Sequence, residues 1–175
     1  MLFQVITSGG QGSRYRAVAT GGTFDHLHRG HEALLAKSFE VGKKVVIGVT
    51  SDAFAGRQGK VPDEGYGERV RALEEFIGKR FPGRAYEIAK LDDFYGPGIA
   101  SSEVEAIVVT AETFARVPLA NDLRAEKGFP PLEVVQVSYV LAEDEAPISS
   151  TRIRRREIDR DGRLLGRGRK TQKGI

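Results

Sequence analysis

Cysteine is absent from this 175-residue sequence, which excludes disulfide bonds and thiolate metal sites. Long apolar runs are also absent, since no stretch approaches the ~18 apolar residues of a membrane-spanning helix. The opening residues MLFQVITSGG lack the basic and then apolar layout of a signal peptide. Hydrophobic residues nevertheless make up 40% of the chain, which is enough for a folded core. The sequence therefore predicts a soluble, cytoplasmic protein with one domain.

Positive charge is unevenly distributed along the chain. The formal net charge is +3, but residues 152–175 carry ten Lys or Arg and three Asp or Glu, which leaves residues 1–151 at −4. A basic excess favours an anionic partner without distinguishing nucleic acid, nucleotide and membrane. We divide the chain into a flexible, Gly-rich leader at 1–14, a folded domain at 15–161 and a basic, mobile tail at 162–175.

Short apolar segments alternate with helical patterns in the domain. Strands are predicted at 16–20, 44–50, 84–90, 106–110 and 132–137, and helices at 30–41, 67–79 and 113–127, with Pro118 near the start of the last helix. Such alternation implies right-handed crossovers between parallel strands. The predicted fold class is therefore α/β, a Rossmann-like, doubly wound, parallel five-stranded sheet with helices on both faces. Ligands bind such sheets beyond the carboxyl ends of the strands.

The segment GGTFDHLHRGH, residues 21–31, follows the first predicted strand and opens the first predicted helix. Its glycines allow the backbone to approach a ligand closely, and a helix amino terminus offers free N–H groups to a phosphate. All three histidines of the chain lie here, and the spacing of His28 and His31 lets both rings point into one crevice. Turn or capping roles and a metal site are the alternatives, although a metal site lacks a clear carboxylate partner.

A second segment, ISSTRIR at residues 148–154, lies near the end of the domain. Pro147 ends an extended loop, and the hydroxyl of Ser149, Ser150 or Thr151 is suited to cap the helix that follows. Hydroxyls, helix N–H groups and Arg152 or Arg154 would then surround phosphates. Taken alone, the segment is equally consistent with a capped helix that has a solvated basic face.

The two segments together resemble the GxFDxxHxGH and ISSTxIR signatures of the HIGH-type nucleotidyltransferase superfamily. Further segments across 15–161 are similar to the archaeal and eukaryotic phosphopantetheine adenylyltransferases, among them VTSD at 49–52, NDLR at 121–124 and GFPPL at 128–132. The resemblance implies the nucleotidyltransferase fold and a reaction in which ATP and 4′-phosphopantetheine give dephospho-coenzyme A and pyrophosphate. The attacking acceptor phosphate is already an anion, so alignment and charge neutralisation would carry catalysis.

The resemblance also implies roles for particular residues. His31 would donate to the α-phosphate, His28 would bind the ATP phosphates, and Lys60 would bridge phosphates as the third catalytic residue. Thr23 and Lys60 would hold the acceptor phosphate, with Arg57 as the alternative cation. The ATP-binding set comprises Gly22, Thr23, Phe24, His28, Gly30, His31, Arg124, Ile148, Ser149, Ser150, Thr151 and Arg154. Mg²⁺ is expected with ATP, held mostly by phosphates and water, so no residue is assigned as a metal ligand.

Outside the two motifs, structural roles compete with functional ones. Arg124 lies on a predicted helix, where a solvated position is as consistent as a ligand contact. Asp25 is expected to orient a histidine or cap the turn. Tyr66, Phe94 and Tyr95 are expected to pack in the core or loops rather than form a pocket wall.

Two other functions remain open from the sequence. A sister enzyme, either a nicotinamide mononucleotide adenylyltransferase or a cytidylyltransferase, would share both motifs. An RNA-binding module would use the basic tail, although the acidic domain and the lack of aromatic residues in the tail disfavour it. Neither a membrane nor a nucleic acid is expected as the main partner, and no obligate protein partner is implied.

Overall fold

A five-stranded parallel sheet forms the centre of the computed structural model, which describes residues 13–166. Its strands are β1 (Tyr15–Gly22), β2 (Gly42–Thr50), β3 (Ala85–Leu91), β4 (Ala106–Val109) and β5 (Glu133–Gln136), in the spatial order β3-β2-β1-β4-β5. Central β1 pairs with both β2 and β4, so that Val18 lies opposite Val45 on one side and Ala106 on the other. The strand order reverses direction at β1, which places the ligand-binding crevice at its carboxyl end. The predicted doubly wound α/β fold is confirmed.

The helices in the described part of the chain are α1 (Arg29–Val41), α2 (Asp52–Arg57), α3 (Tyr66–Arg80), α4 (Pro97–Ala100), α5 (Ala111–Phe114), α6 (Val117–Glu126) and α7 (Ser150–Arg154). The sequence predicted α1 and α3 well. It assigned no helix to the short α2 and α4, and it joined α5 and α6 into one helix. Pro118 lies in the first turn of α6, where its missing N–H costs no hydrogen bond.

The two faces of the sheet are packed differently. On one face, large side chains from α1 and α3, among them Leu35, Phe39 and Leu73, cover Val45 and Ile47 in the main core. On the other face the buried residues are smaller and include Ala17, Ala19 and Val46. The first face is therefore filled by side chains, whereas the second leaves room above the sheet.

The chain after β5 folds back over the carboxyl edge of the sheet. Ala142, Ile148 and Ile158 form a small buried cluster there. Gly162 packs on this cluster, since a Cβ at that position would lie 2.7 Å from Cδ1 of Ile148. The carbonyl of Gly162 accepts a 2.9 Å hydrogen bond from the N–H of Glu143, and the N–H of Leu165 donates to the carbonyl of Glu157 at 3.0 Å. The first residues of the predicted tail are thus attached to the domain.

Residues 1–12 of the predicted leader and 167–175 of the predicted tail lie outside the described residues. The hypothesis of RNA binding by the tail rests largely on that second segment and stays a prediction. Within residues 13–166, no helix is both long enough and apolar enough to cross a membrane.

Candidate active site

The turn between β1 and α1 has an unusual backbone that points one side chain inward. Phe24 and His26 have φ angles of 55° and 48°, a left-handed conformation that non-glycine residues adopt rarely. Asp25 lies between them with a fully buried side chain. The turn then delivers His28 to the N-cap position of α1. The strained turn therefore fixes both a buried carboxylate and the start of the helix.

His28 and His31 stack on each other at the amino end of α1. Their ring centroids are 3.9 Å apart, with 26° between the planes. Nδ1 of His28 accepts a 3.0 Å hydrogen bond from the N–H of Gly30, so the proton of the neutral ring lies on Nε2. A Cβ on Gly30 would lie 2.9 Å from Cε1 of His28, so this arrangement requires glycine.

Both histidines are neutral at pH 7. Burial, together with the nearby His26 and Arg160, lowers the pKa of His28 to about 4. Burial also holds the pKa of His31 well below its usual value, and charge on His28 and Lys60 acts in the same direction. Among the described residues, the buried Nδ1 of His31 has no hydrogen-bond partner, a condition that is rare outside functional sites. Each neutral ring keeps one N–H to donate.

The second motif is joined directly to the first. The Oγ of Ser149 caps α7 by accepting from the N–H of Arg152 at 3.3 Å. The Oγ of Ser150 donates to the carbonyl of Asp25 at 2.6 Å, and Nη1 of Arg154 donates to the Asp25 carboxylate at 2.5 Å. Nη2 of Arg154 also donates to the Oγ1 of Thr151 at 3.1 Å. The expectation that Asp25 orients a histidine is wrong, because its side chain is taken by the second motif.

Ile148 and Arg152 complete the description of this motif. The carbonyl of Ile148 faces α1, since it would lie 3.8 Å from a Cβ on Gly30. Arg152 pairs with Asp144 and also with Glu157 at 3.2 Å. Of the two arginines that the sequence offered for phosphates, Arg154 therefore lies beside the first motif, whereas Arg152 is compensated by two carboxylates.

A cavity of about 390 Å³ opens beside these motifs, on the sheet face opposite α1. Small residues form its floor, namely Ala19, Gly21, Gly48, Ala89 and Gly98. Phe94 and Tyr95 contribute to its walls, contrary to the expectation of plain packing, whereas Tyr66 does pack against the core. The cavity is mostly apolar, with its charged lining supplied by Lys60, Glu112 and Arg116.

Two predicted acceptor-binding residues meet at this cavity. Gly22, Thr23 and Lys60 all line it. The Nζ of Lys60 lies 3.2 Å from Oε1 of Glu112, and the Oγ1 of Thr23 accepts from that of Thr50 at 3.2 Å. Arg57 is absent from the lining, because its guanidinium donates to the carbonyl of Asp92 and lies over the ring of Phe54. The geometry favours Lys60 over Arg57 as the cation of the cavity.

Arg124 is not brought to the site, which corrects the sequence-based interpretation. Its side chain is 1% exposed and donates to four backbone carbonyls, those of Ile99, Ser101, Val104 and Pro130, at 2.8 to 3.0 Å. Burial lowers the pKa of Arg124. Helix α6 turns this residue inward onto the loop between α4 and β4, so it supports a wall of the cavity rather than a ligand.

Sequence reasoning missed two cations that organise the site. Arg69 is fully buried and donates to the carbonyls of Thr23, Thr50 and Glu64, at 2.5, 2.8 and 3.0 Å. It thereby links the ends of β1 and β2 to the loop that carries Lys60. Arg160 accepts on its carbonyl from the N–H of Arg29 at 3.2 Å and contributes to the lowered pKa of His28. The only hint in the sequence was the Glu-Arg pair at 68–69 that opens a helix.

Within residues 13–166, no group of three or more His, Asp or Glu side chains is arranged to hold a metal ion. The site instead combines neutral histidines, hydroxyls and placed cations at the carboxyl end of β1, next to an apolar cavity. This fold and this site define a nucleotide-binding protein of the nucleotidyltransferase class.

Comparison with known proteins agrees with this class. The model of the cytidylyltransferase-like family matches residues 19–156. A phosphopantetheine adenylyltransferase of Methanopyrus kandleri is 44% identical over 142 residues, which cover 81% of this chain and 90% of that protein. One from Methanothermobacter thermautotrophicus is 44% identical over 154 residues, which cover 88% of this chain and 92% of that protein. A crystal structure of a protein with unknown function from Archaeoglobus fulgidus has a TM-score of 0.62 at 30% identity, covering 69% of this chain and 88% of that chain.

The chain therefore belongs to the cytidylyltransferase-like family and, within it, to the phosphopantetheine adenylyltransferases. The resemblance seen in the two motifs is confirmed.

Proposed function

We propose that this protein transfers AMP from ATP to 4′-phosphopantetheine, giving dephospho-coenzyme A and pyrophosphate in coenzyme A biosynthesis. One observation carries the proposal: the joined motifs lie beside a mostly apolar cavity whose lining includes Thr23 and Lys60. A phosphate site and a pocket with room for the arm of a long acceptor are thus adjacent. The names of the similar archaeal proteins point to the same acceptor.

ATP would place its phosphates between the amino end of α1 and the second motif. The N–H groups at the start of α1 favour an anion, and His28 offers Nε2–H because its Nδ1 is occupied by Gly30. Ser149 and Thr151 accept hydrogen bonds on their hydroxyl oxygens and so retain an O–H to donate to a phosphate, whereas Ser150 donates its O–H to the carbonyl of Asp25. Arg154 supplies the positive charge, with its guanidinium held in place beside Asp25.

The chemical step needs alignment more than proton transfer. A phosphate oxygen of the acceptor, held by Lys60 and Thr23, would attack the α-phosphorus of ATP, and the bond from that phosphorus to the oxygen of the leaving pyrophosphate would break. Negative charge builds on the α-phosphoryl oxygens during this step, and an N–H of neutral His31 would stabilise it. The nucleophile is already an anion, so no residue has to remove a proton.

The cavity suits the pantetheine arm in size. Its volume of about 390 Å³ lies within the roughly 300–1,000 Å³ of ordinary ligand pockets. A Cβ on Gly48 would lie 2.5 Å from Cδ1 of Leu91, so the floor admits no larger residue without rearrangement. Lys60 contacts Glu112 in the free protein, and this exposed pair would separate when Lys60 turns to the acceptor phosphate.

Mg²⁺ would arrive with ATP. The ion binds phosphate oxygens and keeps several waters at most phosphoryl-transfer sites. It would neutralise part of the triphosphate charge, while His28 and Arg154 would bind and orient the triphosphate.

A substrate panel tests the proposal. Purified protein is incubated with Mg²⁺ and either ATP or CTP, together with 4′-phosphopantetheine, nicotinamide mononucleotide or a phosphorylated lipid precursor. Pyrophosphate release and the mass of the product are measured. We expect dephospho-coenzyme A from ATP and 4′-phosphopantetheine. Reaction of another pair while this pair stays inert would overturn the assignment and favour a sister enzyme.

A further inference from the structure

The carboxylate of Asp25 lies where the two phosphate-binding motifs meet, and we call Asp25, Ser150 and Arg154 the motif junction. Asp25 follows β1 in the first motif, whereas Ser150 and Arg154 lie on α7, more than a hundred residues later in the chain. Three groups converge on this single residue. The Oγ of Ser150 reaches its carbonyl, Nη1 of Arg154 reaches Oδ2, and the N–H of Glu64 reaches Oδ1 at 3.2 Å.

Asp25 itself is not available to substrate. Its side chain has no exposed surface, and both carboxylate oxygens already accept hydrogen bonds from the protein. Arg154, in contrast, is 20% exposed. Within residues 13–166, Asp25 and Thr151 take two of the five N–H groups of its guanidinium, which leaves the others for phosphate oxygens.

We propose that Asp25 is a positioning residue that acts through Arg154: it holds the guanidinium of the second motif against the first motif so that both bind one triphosphate. This inference rests on the proposed function, because it assumes that ATP is the ligand at the two motifs. A held guanidinium loses less side-chain freedom when it binds phosphate than a mobile one does. Asp25 therefore contributes to ATP affinity without touching ATP.

A carboxylate that only neutralised Arg154 would have the opposite effect on ATP affinity. If Asp25 merely neutralised Arg154, its negative charge would weaken the attraction of phosphate, and removing that charge would tighten ATP binding. If Asp25 positions Arg154, removing the charge weakens ATP binding. One substitution thus separates the two roles.

Asp25→Asn is the sharpest change, because it is nearly isosteric. The backbone carbonyl still accepts from Ser150, and the new amide keeps one oxygen acceptor. Its NH₂ group faces Nη1 of Arg154, donor against donor, or the N–H of Glu64 if the amide is flipped, and in either orientation the negative charge that holds Arg154 is lost. Loss of a hydrogen bond to a charged group predicts a rise of about ten- to a hundredfold in the KM for ATP, with the KM for 4′-phosphopantetheine unchanged.

A double-mutant cycle with Arg154→Gln shows whether Asp25 acts through Arg154. The single variants Asp25→Asn and Arg154→Gln should each raise the KM for ATP, and the double variant should be no worse than the more impaired single one. Effects that multiply would overturn the proposal. So would a lower KM for ATP in Asp25→Asn, or an equal rise in both KM values, which indicates general loosening of the fold.

Asp63→Asn is the matched control. The carboxylate of Asp63 lies 2.8 Å from Nε2 of His26, the residue that follows Asp25 in the first motif. Unlike that of Asp25, the side chain of Asp63 is 56% exposed. The same chemical change there should leave the KM for ATP as in the wild type. A rise equal to that of Asp25→Asn would contradict a specific role for Asp25.

Two further measurements keep the test decisive. Should Asp25→Asn fail to fold, Asp25→Glu retains the charge but displaces Arg154 by one methylene, and the same selective rise in the KM for ATP is expected; a wild-type value would refute the proposal. Should the wild type form no dephospho-coenzyme A, the proposed function fails. Calorimetric titration with inorganic pyrophosphate then tests Asp25 alone, with weaker binding expected in Asp25→Asn and equal binding contradicting the inference.

Discussion

The buried, neutral state of His28 makes a quantitative prediction about acid stability. The ordinary pKa of histidine is 6.5, and burial lowers that of His28 to about 4 in the folded protein. Between these values the unfolded chain binds a proton that the folded protein excludes. The free energy of unfolding therefore falls as the pH falls from 6.5 towards 4, by about 1.4 kcal/mol per pH unit. Above pH 6.5 the burial of His28 carries no such penalty.

His28→Asn isolates this term. Asparagine is a good N-cap residue and does not titrate, so it retains the hydrogen bond from the N–H of Gly30. Wild type and variant share every other titrating group, and the contributions of the groups that do not interact with His28 cancel in the difference. The full shift of the pKa would give about 2.4 kcal/mol between pH 7 and pH 4.5, and because the His28 ring is partly exposed we expect about 2 kcal/mol.

The assay is urea unfolding of both proteins at about pH 7 and at about pH 4.5, with the free energy of unfolding extrapolated to zero denaturant. The wild type should lose about 2 kcal/mol more than His28→Asn when the pH is lowered. A difference in stability that stays constant with pH would refute the reasoning. It would mean that His28 is protonated as readily in the folded protein as in the unfolded chain.

Three further predictions concern catalysis and the cavity. His31→Ala should lower kcat by about a hundred- to ten-thousandfold, measured by pyrophosphate release, with little change in the free energy of unfolding; near-normal turnover would exclude His31 from the mechanism. Lys60→Ala should raise the KM for 4′-phosphopantetheine by about tenfold or more, while Arg57→Ala leaves it unchanged; the reverse result would identify Arg57 as the acceptor cation. Arg124→Met should destabilise the fold by about 3 kcal/mol or more in urea unfolding, because four buried carbonyls lose their donor, while the KM for ATP of the folded variant stays normal; a raised KM for ATP in a stable variant would restore Arg124 to the ATP site.

The sheet was predictable because its central strands carry a local pattern. Residues 44–50 read KVVIGVT, a nearly continuous apolar run, since parallel strands are covered on both faces. The short helices α2 and α4 contain six and four residues, too few to show a helical period. The break between α5 and α6 lies beside Pro118, which the sequence placed near the start of a single helix at 113–127 rather than in the first turn of a separate one. The length of a helix or strand, more than its composition, therefore determined whether it could be predicted from the sequence.

The site was predictable only where its chemistry is local. His28 caps α1 by accepting from the N–H of Gly30, and Gly30 leaves space for the His28 ring. Both residues of this interaction therefore lie within one short motif. Most hydrogen-bond partners of Asp25, Arg69 and Arg124 instead lie 17 to 129 positions away in the sequence, which no periodicity or spacing encodes. All three are buried polar groups whose burial is tolerable only because distant partners satisfy them.

Local pairing, more than net charge, favours Arg154 over Arg152 as the arginine that would bind the phosphates. Arg152 and Arg154 lie two residues apart on one short helix and look equivalent in the sequence. Arg152 faces two carboxylates, those of Asp144 and Glu157, which neutralise its charge within the protein. Arg154 faces the single buried carboxylate of Asp25, which is already shared with the N–H of Glu64. A phosphate would therefore be attracted weakly to Arg152, whose charge two carboxylates neutralise, and more strongly to Arg154, whose guanidinium one carboxylate orients. Arg152→Gln should accordingly change ATP binding far less than Arg154→Gln does.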